Sequence, residues 1–267
     1  MAGFFGTLAK RLFQNPLAQG LQFDNPDYVR AHREILLTNP VLKSAYDRWY
    51  REIATGFEST ANVPGVLLEV GCGAGFLEKY VPGLLKTDSI QNPYAARVSD
   101  AMNLDFDSDS VRAMFLVGVF HHLRSPVLFL KHVERCLHPG GRLMMIEPNN
   151  TFPQRLLCRV LDHYEFFDDT VADWESPSAK TMTGANLAVA WMIFIRDADR
   201  FHAMFPKLKI RNIRYHTFFA YIASGGMSYK PFIPVALLPV LNWIERLLTP
   251  LGKWMSTSMT IEIEKVH

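Results

Sequence analysis

The chain has 267 residues and a formal net charge of +2. That length holds one large α/β domain or two small ones, and the near-neutral charge lacks the basic footprint of a nucleic-acid binder. The three cysteines, at positions 72, 136 and 158, have no C-x-x-C spacing; an odd count of this kind fits a reducing compartment and argues against a disulfide framework or a zinc site.

Residues 1–20 place Phe4, Phe5, Leu8, Leu12 and Phe13 near helical spacing, with Lys10 and Arg11 between them. No apolar run there is long enough for a secretory core, and no small-residue cleavage site follows. The pattern predicts a helix packed on the domain, or an interfacial helix touching a membrane or a lipid-like substrate. From Asn25 to Ile53 the pattern is helical again. Pro40 divides it, because proline is tolerated mainly in a first helical turn. Tyr46 and Tyr50 share one face; they pack in a core or line a site, and Tyr46 is a candidate substrate contact.

Val66–Val70 is a short apolar run between Pro64-Gly65 and a glycine turn, as a buried parallel strand should be. The turn reads Gly71-Cys72-Gly73-Ala74-Gly75, with Glu69 two residues before its first glycine. Glycines permit positive φ and close approach of backbone N–H groups to a ligand. A helix is predicted after the turn, offering its N-terminal N–H groups and dipole. A tight strand–helix turn without a ligand produces the same pattern. The dinucleotide fingerprint needs a last glycine where Phe76 stands, so the spacing disfavours a dehydrogenase.

This stretch resembles motif I of the class I S-adenosylmethionine (SAM)-dependent methyltransferases. Val98–Leu104 resembles the D-A-x-x-L segment of that family. Leu130–Glu147 reads L-x-x-V-x-R-x-L-x-P-G-G-x-L-x-x-x-E and resembles its segment between the fourth and fifth strands. The three blocks stand in family order and cover about residues 63–150. The chain as a whole is similar to an uncharacterised bacterial branch of the methyltransferase type 11-like family. The resemblance implies an α/β, Rossmann-like fold: a mostly parallel seven-stranded sheet with an antiparallel last strand. It implies SAM as cofactor, held by Glu69, Gly71, Cys72, Gly73, Gly75, Asp88, Asp100, Ala101 and Val117.

Within that set, Asp88 ends the second strand and would accept hydrogen bonds from the ribose hydroxyls. Its distance from the glycine turn is close to the roughly 20 residues expected of a ribose acid, although a helix cap or turn aspartate reads the same way. Asp100 would meet the adenine amino group, and the Ala101 N–H a ring nitrogen. The segment after the fourth strand would pass beside the methionine part, so His122 is a candidate general base or a strand-end hydrogen-bonding group. Where the family often has Asp early in the fourth strand, this chain has Arg112. The acids Asp105, Asp107 and Asp109 read as turn formers, adjacent histidines do not make a two-ligand face, and no metal site is expected. Ser125-Pro126 opens the next helix as N-cap and first residue. Glu147 ends the fifth strand near the cleft and is a candidate substrate contact, or a structural hydrogen-bonding group.

Beyond residue 150 the pattern leaves the generic fold. A helical cap is expected over about 151–205, with His163 and Glu165 as a base and its acid, or as a structural pair, and Asn186 facing the substrate. Residues 207–219 and 257–266 alternate as the last two strands. Between them, about 220–255, lies a helical insertion broken by prolines. A span needs about 20 predominantly apolar residues, which this stretch lacks. It is expected to cover an edge, an oligomer interface such as a homodimer's, or a membrane-borne acceptor. The predicted organisation is N-terminal helices over 1–60 and a methyltransferase domain over 61–267.

The expected activity is methyl transfer from SAM to an oxygen of a small or lipid-linked acceptor such as a sugar, polyketide or phenol. The alternatives are C-methylation of a quinone- or lipid-like substrate and a non-catalytic SAM-binding partner subunit. Val117-Gly118-Val119-Phe120 does not match the N/D-P-P-Y/F segment of nucleic-acid methyltransferases. The expected location is cytoplasmic, with peripheral contact at the inner face of the membrane an open alternative.

Overall fold

Strands β1 (Val66–Val70), β2 (Leu85–Asp88), β3 (Arg97–Val98), β4 (Val111–Val117), β5 (Leu137–Pro148), β6 (Leu208–His216) and β7 (Ser258–Lys265) form one sheet in a computed structural model, which describes residues 14–18, 26–160, 166–175 and 185–267. Their order is β3-β2-β1-β4-β5-β7-β6. β1 to β5 run parallel, and β7 runs antiparallel to both β5 and β6. The sheet is the Rossmann-like arrangement expected from the sequence.

The central strands are buried because both faces are covered, which is why they read as continuous apolar runs. On one face Leu68, Met114, Leu143 and Ile261 meet Phe129 and Val133 of α3 (Pro126–Cys136) and Phe194 and Phe201 of the cap. On the other, Leu67, Phe115 and Met144 meet α1 (Pro26–Thr38) and α2 (Pro40–Ser59) through Ile35, Leu42 and Ile53. Asn39 caps α2 by accepting from the Leu42 N–H at 3.1 Å, with Pro40 in its first turn. That is how Pro40 divides the two helices. Arg112 ties the other end of α2, donating to the Phe57 carbonyl (3.0 Å) and Thr60 Oγ1 (3.2 Å).

The remaining helices belong to the additions. The segment between β5 and β6, the expected cap, contains α4 (Phe152–Val160), α5 (Val189–Trp191), which runs into a π-helical turn at Met192–Arg196, and α6 (Ala198–Met204). The insertion between β6 and β7 contains α7 (Ala220–Ala223), α8 (Leu238–Leu248) and α9 (Gly252–Met255). The expected helix over 1–20 falls largely outside the described residues; within them, Pro16–Ala18 is a single 3₁₀ turn.

One expected element differs. After the glycine turn comes a three-residue 3₁₀ turn, Leu77–Lys79, and no α-helix. Pro82 and Gly83 end the segment before a second turn can form, since proline lacks the donor and Gly83 takes φ +77°. So short a turn carries little macrodipole, and the dipole argument for this end of the site falls away.

Candidate active site

The carboxyl ends of the parallel strands open on a cavity of about 670 Å³. It sits at the switch point between β1 and β4, where the strand order reverses and ligands of open α/β sheets bind. Its wall draws on the ends of β1, β2, β4 and β5, on α1 and α2, and on both additions.

The glycine turn is shaped by positive φ at Gly71 (70°), Gly73 (47°) and Gly75 (69°). Their surroundings differ. A Cβ on Gly71 would lie 2.7 Å from Val119 Cγ2, whereas one on Gly73 would meet nothing within 4 Å. Gly73 therefore leaves a space that a side chain would fill. Gly75 does not line the cavity. Its N–H closes the turn onto the Cys72 carbonyl at 2.8 Å, and its face abuts Tyr94. The structure places it in the turn, behind Gly73.

Asp88, at the end of β2, reaches back to this turn. Its Oδ2 accepts from the Gly73 N–H (3.1 Å) and from Asn92 Nδ2 (2.7 Å), and its Oδ1 from the Ser89 N–H (2.8 Å). Asn92 also donates to the Gly73 carbonyl at 2.8 Å. Sequence reading missed Asn92, which clamps turn and acid together. Arg33 closes the turn from above. It donates to the Ala74 carbonyl and lies between the rings of Phe76 and Tyr94, 4.2 and 4.3 Å from their centroids. Asp100 caps the turn Ala101–Asn103 by accepting from the Met102 N–H at 2.9 Å, and Asp100 and Ala101 both line the cavity.

Glu69 is the electrostatic anomaly. It is buried on the cavity wall, and its Oε2 has no hydrogen-bond partner. Burial pushes its carboxyl up to about 8; Lys86 pulls the other way and Asp88 adds to the rise. A buried acid with an orphaned oxygen suits a cationic ligand group such as an ammonium. Burial also raises the Cys72 thiol, so Cys72 lines the cavity as a neutral side chain. His32, another wall residue missed in the sequence, is held down to about 4 by burial and stays neutral at pH 7.

Opposite the glycine turn, Glu147 at the end of β5 holds the loop after β4. Its carboxylate accepts from the N–H groups of Val119 (3.0 Å) and Phe120 (2.8 Å), and more weakly from that of His121 (3.4 Å). Its Oε2 also lies 2.6 Å from His121 Nδ1. Glu147 thus lines the cavity, but its carboxylate is committed to the protein. His121 and His122 both line the cavity with their rings 4.1 Å apart. The histidine held by an acid is His121; the sequence pointed to His122.

Tyr46 lies on the cavity wall beside Trp49. Asn186 does not. Its Oδ1 accepts from the N–H groups of Asp168 and Ala188, both at 3.0 Å, and its Nδ2 donates to the Asp168 carbonyl at 2.7 Å. The amide fastens the loop at Asp168 to the backbone at Ala188, away from the cavity wall. His163 and Glu165 lie outside the described residues.

A strand, a glycine turn, an acid after β2 and an acid-capped turn after β3, all at the switch point of a seven-stranded sheet with an antiparallel β7, define a class. The fold is the one expected of the class I SAM-dependent methyltransferases. Residues 68–145 match the family profile described as a methyltransferase domain. No curated protein matches the sequence. Among solved structures, geranyl diphosphate C-methyltransferase from Streptomyces coelicolor A3(2) is similar at 12% identity and TM-score 0.47, covering 98% of both chains. A SAM-dependent methyltransferase from Archaeoglobus fulgidus is similar at 11% identity and TM-score 0.48, covering 82% of this chain and 94% of its own. Phosphoethanolamine N-methyltransferase 2 from Haemonchus contortus is similar at 10% identity and TM-score 0.47, covering 94% of this chain and 59% of its own.

SAM fits the residues present: the space at Gly73 admits a ligand, and the orphaned Glu69 oxygen suits its ammonium. Gly73→Ala is expected to keep the fold, costing about 1–2 kcal/mol for a Cβ at positive φ. SAM affinity should fall by roughly tenfold or more, since a methyl group added to a packed contact displaces ligand or loop. Gly71→Ala, pressed onto Val119, should lose stability first. Thermal melts and calorimetric titration of the two variants separate these outcomes.

Proposed function

We propose that this methyltransferase acts on a hydroxyl oxygen of a small or lipid-linked acceptor, with His121 as the base. SAM supplies an electrophilic methyl on a sulfonium and leaves as S-adenosylhomocysteine. The chain binds it through Asp88 at the ribose, Asp100 and the Ala101 N–H at the adenine, and Glu69 at the ammonium, with Val117 against the methionine part. The acceptor takes the rest of the cavity, where Tyr46, Trp49, Leu187, Tyr221 and Met227 give it an apolar wall. Transfer then depends chiefly on alignment of the acceptor oxygen with the methyl group.

A hydroxyl must lose its proton as the new C–O bond forms. The observation that carries the reading is the buried His121–Glu147 pair on the cavity wall. A carboxylate at Nδ1 fixes the tautomer with its proton there, which makes Nε2 the basic nitrogen. The hydroxyl proton passes to Nε2, and Glu147 stabilises the imidazolium. Glu147 is a positioning residue, and its three backbone bonds hold the loop that carries His121.

The test is transfer of labelled methyl groups from SAM to a panel of sugars, phenols, polyketides and hydroxylated lipids. His121→Ala should lower kcat by about 10²–10⁴ while leaving SAM affinity within a few-fold. The native pH–rate profile should show an acid-side limb, the rate falling as pH drops, that the variant lacks. Methyl found on carbon, or a variant with native kcat, would sink the oxygen assignment and the base respectively.

A further inference from the structure

α8 is amphipathic with its apolar stripe turned away from the protein. Val240, Trp243, Ile244 and Leu247 follow helical spacing and all point outward, with Trp243 61% exposed. Leu251 and, in α9, Trp254 (64% exposed) continue the surface. The inward side of α8 is fixed by its one acid. Glu245 is buried and accepts from the N–H groups of Phe218 (3.0 Å), Phe219 (2.8 Å) and Ala220 (2.7 Å), and it pairs with Arg48. That anchor sets the rotation of the helix, so the exposed stripe is built in.

The exposed charge along this segment has one sign. Residues 230–255 contain Lys230, Arg246 and Lys253, all exposed, and no acid besides the buried Glu245. α4 packs beside α9 and adds Phe152 (77% exposed), Leu156 and the exposed Arg159. The Asn15 N–H binds the Ser228 carbonyl at 2.9 Å, and the sequence of residues 1–13 holds Lys10 and Arg11 and no acid. Exposed tryptophans amid aliphatic residues, with only cations exposed along residues 230–255, match the boundary of an anionic bilayer. A second copy of this chain fits worse. A two-fold contact through the face would set Lys230, Arg246 and Lys253 against their own likeness with no acid to pair them.

The same elements reach the cavity from behind. In α4, Gln154 and Cys158 line it while Phe152 and Leu156 face out; in the insertion, Met227, Ser228 and Tyr229 line it just before Lys230. We propose that this face docks on an anionic lipid surface and that the acceptor is a membrane-borne amphiphile whose hydroxylated head enters the cavity beside α4. The docking stands on the surface alone; the acceptor class rests on the methyl-transfer reading. Among the described residues no helix is long and apolar enough to cross a membrane, so the face lies on the bilayer.

The test uses the full chain in co-sedimentation with vesicles of phosphatidylcholine plus phosphatidylglycerol, and of phosphatidylcholine alone. Binding to the anionic vesicles, weakened by salt and by roughly tenfold or more in Trp243→Ser/Trp254→Ser, supports the proposal. Equal binding by that variant, or none by the native chain, overturns it. So does loss of binding only on removal of residues 1–13, which would seat the contact there, and so does a native dimer that the variant converts to monomer without any vesicle binding. Calorimetric SAM titration of the same samples keeps the two readings apart: vesicle binding with no SAM binding leaves the docking and removes the acceptor, and the reverse removes only the docking.

Discussion

Asp88→Ala is expected to weaken SAM binding by about 100-fold. A carboxylate offers about four acceptor positions, and the protein's own donors, Gly73 N–H, Ser89 N–H and Asn92 Nδ2, take three. The remaining position, on Oδ1, suits a ribose hydroxyl. A hydrogen bond to a charged acceptor contributes about 1.5–3 kcal/mol, or roughly 10–150-fold in affinity. Loss of the tie to Gly73 adds to this, because that tie holds the turn where the ligand lies. Asn92→Ala separates the two parts, since it loosens the clamp while keeping the carboxylate; a smaller loss, roughly tenfold or less, is expected because the acceptor for the ribose stays in place. Calorimetric titration with SAM measures both variants, with NADH as the ligand that neither should bind. A native SAM affinity in Asp88→Ala would remove the ribose assignment.

The fold was legible wherever local signals and burial agreed. β1 and β4 read as core strands because apolar residues fill both faces, and Asn39-Pro40 and Ser125-Pro126 open helices through caps that act within three residues. The antiparallel β7 was visible as alternation in Met259, Ile261 and Ile263. The short turn after Gly75 was missed because a single helical turn and a helix look alike over so few residues.

The site was legible only in its local part. Glu69, the glycines and Asp88 stand on strand ends, where sequence position fixes location. The His121–Glu147 pair joins the loop after β4 to the end of β5, and periodicity within one strand says nothing about it. Asn186 illustrates the converse: a polar residue in a cap reads as a substrate contact until the backbone groups that need it are known. The insertion's direction was equally hidden, since an amphipathic pattern shows a stripe without saying which way it faces. Glu245 settles that, as Glu147 settles the loop of His121. Each spends a buried carboxylate on three consecutive backbone N–H groups, a use that no spacing rule reveals. Burial raises the Glu245 carboxyl, but Arg48 and those three donors outweigh it and hold it below its ordinary value.

Glu69→Gln is expected to stabilise the ligand-free protein in alkali while weakening its hold on SAM. The folded Glu69 carboxyl titrates at about 8 against an ordinary value of 4.5. Between those two pH values the folded state holds a proton that the unfolded state has lost. Stability therefore falls as pH rises through this window and levels off above 8. At about 1.4 kcal/mol per unit, the full penalty approaches roughly 5 kcal/mol. The variant has no such penalty, so melts of the two proteins should coincide near pH 4 and diverge progressively to pH 9, with the variant higher. SAM binding reverses the preference. An ammonium at the orphaned Oε2 favours the charged carboxylate, so binding below pH 8 must expel a proton, and affinity should rise with pH up to that point. Titration in two buffers of different ionisation heat reads the proton directly. The native protein should release up to one proton per SAM at pH 7, and the variant none. Parallel melts, or equal proton release from both proteins, would show that Glu69 is neither strained by its burial nor relieved by the ammonium of the cofactor.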